Sequence, residues 1–600
     1  MCGVASIFSY GPLANGVDKE ELMRIREQMF NRGPDSSGTW ISSDNRVGLA
    51  HRRLSIIDIS EAGNQPMLDE ESGNRIVFNG EIYNFRELRT HLESCGNSFY
   101  SQSDTEVLLK LYAVYGEKML DKLRGMFAFV IWDEQKKRIF AARDPFGIKP
   151  LYVADDGNTI RLASQVKALI AGNAVDLSPD SAGHVGFFLW GYIPEPFTLY
   201  KGIRALPAGT SLSIDYEGNK IFNKYFSLTD EFSKGLIQGE KVGLQTAQDI
   251  LRESLLDSVS HHLITDVPKG IFLSSGLDSC SIAALAKESG EEGLRTLTLG
   301  FEEFIDTAND EVPLAEVIAE YLGTRQQSRR ISRQDFSHHY DNILDSMDQP
   351  TIDGVNTYFI CKAARDAGLK VALSGLGGDE LFGGYSYFRT IPKIKTIFGP
   401  FANKPFIGRS FRKFTLPFLK RITSTKVAGL LEYGGSYEGA YLLSRSHYMP
   451  WEIGEILGDN FFKDGWNGLQ TLPELANTTS NLKDDRLAIS ALEVEWYMRS
   501  QLLRDCDWAS MAHSVEVRVP LVDIELFRTV ISLISLGFVP SKLDMARTCS
   551  KTLPKSVLNK PKTGFSIPVQ KWLMADDQST KYKGNQDSKK WSEIIYESFC

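Results

Sequence analysis

Six hundred residues, 42% hydrophobic and 24% charged, are too many for one ordinary core and suit two or three soluble domains. A net charge of −9 without a lysine/arginine block argues against an extended nucleic-acid or anionic-membrane surface. No apolar stretch reaches the roughly 18–20 residues that cross a bilayer, Thr529 to Val539 being the nearest, and Met1-Cys2-Gly3-Val4 lacks the basic region of a secretory signal, so a cytoplasmic protein without membrane insertion is expected. In chain order, Arg75 to Phe78 is an apolar run that ends in Asn79-Gly80, a turn signal. Thr105 to Tyr115 predicts a helix with Val107, Leu108, Leu111 and Tyr112 on one face. Met126 to Trp132 and Arg138 to Ala142 predict buried strands. Strands with interspersed helices suggest layered α/β packing. The polar stretch Ser227 to Gly243 marks the expected junction.

Beyond about residue 245 the rhythm changes to alternating helix and strand. Ile271 to Leu273, Thr296 to Leu299 and Val371 to Leu373 predict short buried strands, which implies a parallel sheet flanked by helices. Residues 480 to 575 read as mostly helical. The polar residues 576–600 are expected to form a loosely held tail. Seven cysteines without a Cys-x-x-Cys, and nine histidines without a His-Glu-x-x-His, point to a reduced protein lacking structural zinc.

Cys2 follows Met1 directly. Removal of Met1 would leave Cys2 with a free α-amine of pKa near 8, able to accept the thiol proton. A cysteine at position two is by itself usually incidental. Here it is followed, in order, by Arg32-Gly33-Pro34-Asp35, His51-Arg52-Arg53-Leu54-Ser55-Ile56, Asn79-Gly80-Glu81-Ile82-Tyr83-Asn84 and Ser103-Asp104-Thr105-Glu106. This set resembles the glutaminase domain of the N-terminal-nucleophile (class II) amidotransferases, over residues 2–215. The resemblance implies that Cys2 attacks the side-chain amide of glutamine and that Asn79 and the Gly80 N–H form the oxyanion hole. It also implies that Arg53 holds the substrate carboxylate and that Glu81 and Asp104 hold its ammonium. The residue types suit those tasks, since an oxyanion needs preorganised neutral donors and an amino acid needs an acidic partner and an arginine fork. Taken singly, Asn79-Gly80 is more often a hairpin turn, Arg53 a surface charge and Asp104 a helix cap.

Ser274-Ser275-Gly276-Leu277-Asp278-Ser279 lies between a predicted strand and a predicted helix, where N–H groups and the helix dipole favour phosphate. A bland strand-turn-helix would look alike. The loop resembles the pyrophosphate loop of the ATP pyrophosphatases, usually Ser-Gly-Gly-x-Asp-Ser, with Ser275 in place of a glycine. If that position needs positive φ, serine is disfavoured there. Ser374-Gly375-Leu376-Gly377-Gly378-Asp379-Glu380, Ser510 to Pro520 and Lys560 to Pro568 extend a resemblance to the asparagine synthetase family over residues 240–575. The resemblance implies ATP as cosubstrate, Mg²⁺ held by Asp278 and Asp379, phosphate contacts from Ser374 and Gly375, and charge neutralisation by Lys562. Asparagine-forming members carry a glutamate where Leu376 stands, and that glutamate is assigned to the transfer step. Glu380, Glu493 and Glu495 are the candidates to replace it.

The fold expected is an N-terminal αββα sandwich followed by a parallel-sheet ATP-pyrophosphatase domain with a helical periphery. The reaction expected is glutamine-dependent, ATP-driven amidation of a carboxylate. Aspartate is the family default, and a uronic acid of a polysaccharide or a biosynthetic intermediate is the alternative. A binding or regulatory relative with decayed catalysis is the reading of another class, and a homodimer is an open expectation.

Overall fold

The computed structural model describes residues 2–234, 241–402, 404–419, 423–560, 568–569, 572 and 585–600. Twelve strands precede residue 225: β1 (Gly3–Ser9), β2 (Ser36–Ile41), β3 (Val47–Arg53), β4 (Met67–Leu68), β5 (Arg75–Ile82), β6 (Gly125–Asp133), β7 (Arg138–Arg143), β8 (Tyr152–Asp155), β9 (Thr159–Ala163), β10 (Arg204–Ala205), β11 (Thr210–Asp215) and β12 (Lys220–Lys224). They form two six-stranded antiparallel sheets, ordered β10-β8-β9-β1-β3-β2 and β12-β11-β7-β6-β5-β4. Val4 and Phe8 of one sheet meet Val77, Val130 and Trp132 of the other in a shared core. Alternation along each strand sends the other side chains outward, where each sheet needs a cover. Phe78, Phe127 and Phe129 are covered by helices Phe85–Ser94 and Asp104–Tyr115. Ala5 and Ile7 are covered by Lys19–Gln28 and Val166–Ala171. The result is the αββα sandwich.

Asn79-Gly80 is not a turn. β5 runs through it to Ile82, and Gly80 pairs with Phe127 of β6. A Cβ on Gly80 would lie 2.0 Å from the Met126 carbonyl oxygen, so glycine is required by close approach of the neighbouring strand rather than by a hairpin.

The second half is built on β13 (Lys269–Phe272), β14 (Arg295–Phe301), β15 (Arg325–Ile331), β16 (Val371–Leu373) and β17 (Glu516–Arg518), all parallel, in the order β15-β14-β13-β16-β17. The strand order reverses beside β13, so the loops leaving β13 and β16 open a crevice at their carboxyl ends, the usual ligand position in such sheets. β17 refines the mostly helical reading of residues 480–575: three residues are too few for a periodic signal, and they are a strand because β16 offers an edge. The tail is corrected. Helix Asn585–Phe599 buries Trp591 and Ile595 in the core of the second half. Among the described residues no helix is long and apolar enough to cross a membrane.

The halves share one core. Leu54, Ile56, Tyr83, Met126, Phe146 and Ile148 belong to the same cluster as Ile271, Leu273, Val519 and Leu521. Buried ion pairs cross the same boundary: Arg32–Asp507 at 2.7 Å, Arg124–Asp523 at 2.8 Å and Arg518–Glu81 at 3.2 Å. Removing one partner of the Arg32–Asp507 pair strands a buried charge and costs about 3–5 kcal/mol.

Candidate functional site

Cys2 sits at the start of β1, between β3 and β9, and is buried. Its backbone N–H donates to Asn79 Oδ1 at 2.9 Å, which fixes the orientation of that amide. Asn79 Nδ2 is consequently left buried without a partner. A buried unpaired donor is costly and calls for a reason; a negative oxygen arriving beside Cys2 would satisfy it. Burial pushes the Cys2 thiol up, against the pull of its contact with the Leu54 carbonyl and of Arg53.

Arg53, at the end of β3, is held by neutral groups. Nη1 donates to the Ser60 carbonyl at 2.8 Å and to Asn64 Oδ1 at 3.1 Å, and Nη2 donates to the Asp58 carbonyl. Among the described residues no carboxylate lies within ion-pair distance of it, so its charge is oriented but uncompensated. Glu81 and Asp104 lie on β5 and at the head of helix Asp104–Tyr115, both buried. Asp104 accepts from the Ile82 N–H at 3.0 Å, and burial pushes its carboxyl up to about 6. Burial and the neighbouring Glu516 raise Glu81 well above the usual carboxylate range, against the pull of Arg518. Asp104 is therefore more than a helix cap; Ser103 caps that helix.

Several groups around this site come from the far half of the chain. Arg518 of β17 is fully buried, binds Glu516 at 2.7 Å and donates to the His262 carbonyl at 2.9 Å. Arg32 donates from Nε to the Cys2 carbonyl at 3.0 Å and from both Nη atoms to Asp507. Asp507 lies on helix Arg504–Met511, whose Asp505 and Cys506 line a second site. Lys149 is buried near Asp507, Glu516 and Cys506, and burial lowers its ammonium. Sequence patterns name Arg32, Glu516 and Arg518 only as parts of longer motifs, because the cross-boundary partners of the two arginines, Asp507 and Glu81, are hundreds of residues away.

The second site is a cavity of about 980 Å³ at the carboxyl ends of β13 and β16. Its rim includes Ser274, Ser275, Gly276, Leu277, Asp278 and Ser279, with Ser374, Gly375, Asp379 and Lys542 opposite. The Ser274 N–H donates to Ser279 Oγ at 3.1 Å and the Gly276 N–H to Ser274 Oγ at 3.1 Å, so hydroxyls brace the loop before helix Leu277–Glu288. Ser275 does not adopt positive φ, which removes the backbone objection to serine, and its hydroxyl takes a hydrogen bond from Lys560. A Cβ on Gly378 would fall 2.6 Å from Asp278 Cγ, so that glycine lets the two loops close on each other. Asp278 and Asp379 share the Lys542 ammonium, 2.6 Å from Asp278 Oδ2. Lys542 escaped the sequence reading because it is an ordinary helix-start lysine until the fold delivers it there. Lys562 lies outside the described residues.

Leu376 faces this cavity, and so does Glu380. Glu380 accepts from the Tyr385 hydroxyl at 2.7 Å, and burial pushes its carboxyl up to about 7. Glu493 instead binds Arg445 at 3.0 Å, and Glu495 accepts from Thr478 at 3.1 Å; neither lines the cavity. A smaller chamber of about 410 Å³ adjoins the first through Asp353 and Tyr497, which line both. Trp190, Tyr387, Tyr497 and Trp591 supply aromatic walls. Arg445 lies 3.7 Å from the Tyr497 ring centre. Lys426 donates to the Ser446 carbonyl at 2.6 Å, has no carboxylate within ion-pair distance among the described residues, and is lowered by burial to about 8.

With this geometry in hand, the comparisons are specific. A family model described as a glutamine amidotransferase domain matches residues 1–226, and one described as asparagine synthase matches residues 250–593. Asparagine synthetase (glutamine-hydrolyzing) 1 of Bacillus subtilis is 34% identical, over 96% of this chain and 88% of its own length. Asparagine synthetase (glutamine-hydrolyzing) 3 of the same organism is 30% identical over 85% of this chain and 77% of its own. Asparagine synthetase B of Escherichia coli is 31% identical over 66% of this chain and 67% of its own.

Proposed function

Because the chain belongs to the family of glutamine-hydrolysing asparagine synthetases, we propose that it takes ammonia from glutamine at Cys2 and uses ATP to amidate a carboxylate larger than aspartate. The ammonia half rests on one observation above all: Cys2 N–H fixes Asn79, and the other face of that amide is a buried donor without a partner. Cys2 Sγ adds to the side-chain carbonyl of glutamine, its proton passing to the α-amine. Asn79 Nδ2 and the Gly80 N–H receive the oxyanion, worth about 10²–10³ in rate per donor. Ammonia leaves, and water releases glutamate from the thioester. Arg53 receives the substrate carboxylate, and Glu81 with Asp104 its ammonium.

In the second site the Ser274–Ser279 loop, Ser374 and Gly375 receive the β and γ phosphates of ATP. The acceptor carboxylate attacks the α phosphorus and pyrophosphate departs, leaving an acyl-adenylate. Ammonia, arriving along the Arg32, Asp507 and Cys506 boundary, attacks the acyl carbon and AMP leaves. Asp278 and Asp379 are close enough to share one cation, as their joint contact with Lys542 demonstrates; Mg²⁺ bound with phosphates needs only one or two carboxylates, so the pair fits it. Mg²⁺ would neutralise pyrophosphate charge there. The amide-forming step sheds a proton that Leu376 cannot take, and Glu380 faces the same cavity.

The larger acceptor follows from Leu376, an apolar side chain that disfavours a charged amino-acid head beside it, and from the aromatic, cationic chamber next door. A panel of carboxylates assayed for AMP and pyrophosphate tests the reading. Uronic acids and other ring-bearing carboxylates should outrun aspartate, and ADP with phosphate as products would refute the adenylate.

A further inference from the structure

The 51 residues from Leu381 to Leu431 contain ten lysines and arginines and no aspartate or glutamate, in a chain whose net charge is −9. The described residues of this window include helices Tyr387–Phe398 and Pro405–Leu419. In the second helix Gly408 is buried, and a Cβ there would lie 2.5 Å from Glu432 Cα. Arg412 binds Glu432 at 2.6 Å from the same side. The helix therefore rests on the protein through that side. Ile407, Phe411, Phe414 and Phe418 recur at helical spacing on another face, and that face is turned to solvent. Phe406 and Phe414 are each 80% exposed and Phe418 is 66% exposed, with Ile397 of the first helix at 65%.

An apolar stripe of this kind on a helix that already has a packing face is unusual in a soluble domain. Lys393, Lys404 and Lys413 are exposed around it and have no carboxylate within ion-pair distance among the described residues. We propose that this helical pair docks the enzyme on an anionic lipid bilayer, lying in the interface and not crossing it. The phenylalanines enter the headgroup and acyl boundary, and the lysines meet lipid phosphates. Charge selects this occupant. Arg409 and Arg412 are answered by Glu432 and Lys395 by Asp485; a two-fold interface between copies would set the remaining lysines against themselves, whereas an anionic bilayer supplies counter-charge to Lys393, Lys404 and Lys413. The patch escapes a reading of net charge because acidic residues elsewhere outnumber it.

Position adds a consequence. Tyr387 opens the first helix, Lys426 is the last cation of the acid-free window, and both line the 410 Å³ chamber. Docking would bring that chamber to the membrane surface, where a carboxylate carried on a lipid could enter it. This link to the acceptor rests on the proposed function; docking itself does not.

The test uses the full chain in flotation with vesicles of phosphatidylcholine alone or mixed with phosphatidylglycerol, and glutamine hydrolysis as the control for folding. The expected result is binding to the phosphatidylglycerol vesicles that weakens as salt is raised. Combined Phe406→Ser, Phe414→Ser and Phe418→Ser should cut the bound fraction by about tenfold or more with glutamine hydrolysis unchanged. Combined Lys404→Gln and Lys413→Gln should weaken binding to the anionic vesicles alone. Absence of binding, or equal binding by the triple variant, overturns the proposal. So does a dimer that the triple variant abolishes while no vesicle is bound. If binding holds but soluble acceptors are amidated as well as lipid-linked ones, docking stands and the link to the acceptor fails.

Discussion

The two reaction sites rest on different kinds of backbone. Around Cys2 the groups sit on or beside β1, β3 and β5, locked by strand register, and the Cys2 N–H orients the Asn79 amide. Around the 980 Å³ cavity they sit on loops leaving β13 and β16, and the far wall comes from helices late in the chain. Strands fix geometry and tolerate little change, while loops on a rigid sheet vary at small cost to the fold. Two departures from the family pattern, Ser275 and Leu376, fall in the loop-built site, and a third, Gln165 where the family usually shows glutamate, follows β9 in the strand-built half. The contrast shows where a change of acceptor would cost the fold least: in the loops around the second cavity, not in the strands around Cys2.

The largest expected effect separates the two sites outright. Cys2→Ala should lower glutamine-dependent amidation by about 10⁴–10⁶-fold, as loss of a nucleophile does, and leave ammonium-dependent amidation intact. Parallel assays with glutamine and ammonium chloride check this, and an equal fall on both would show that the sites are not separable. Next in size is Glu380→Gln, which keeps shape and hydrogen bonding but cannot take a proton. Amide formation should drop about 10²–10⁴-fold with glutamine hydrolysis unaffected. A variant with wild-type turnover would mean that another group, or water, removes the proton.

The smallest effect sharpens the electrostatics of the strand-built site. Asp104 titrates near 6 because it is buried. It is charged above that pH and neutral below it, so its hold on the glutamine ammonium weakens as pH falls through about 6. KM for glutamine should rise on the acid side while KM for ammonium, corrected for its protonation, stays level. In Asp104→Asn the glutamine KM should be high throughout and lose this pH dependence. A wild-type KM that is flat through that range would remove Asp104 from the binding set.

Much of this is legible in the sequence, and the exceptions share a cause. The order of motifs around Cys2 and the strand-loop-helix at Ser274 to Ser279 are local signals, and the parallel sheet follows from alternation. Asn79-Gly80 misled because a glycine needed for close strand approach has the same letters as one needed for a turn. β17 and Lys542 are invisible locally, since each acquires its place from a partner more than a hundred residues away. The tail helix was misread from polar composition, although Trp591 and Ile595 carry its apolar side. The Leu381–Leu431 window was hidden by averaging charge over the whole chain.

Delivery of glutamine-derived ammonia to an acceptor other than aspartate has one decisive test. The most direct measurement is steady-state kinetics with glutamine, ATP and aspartate, scored as asparagine formed per AMP released, beside the same ratio for larger carboxylates. Slow AMP release with little asparagine, and a ratio near one for a ring-bearing carboxylate, is the result predicted here. Tightly coupled asparagine formation at an ordinary kcat, on the order of 1–10³ s⁻¹, would contradict it.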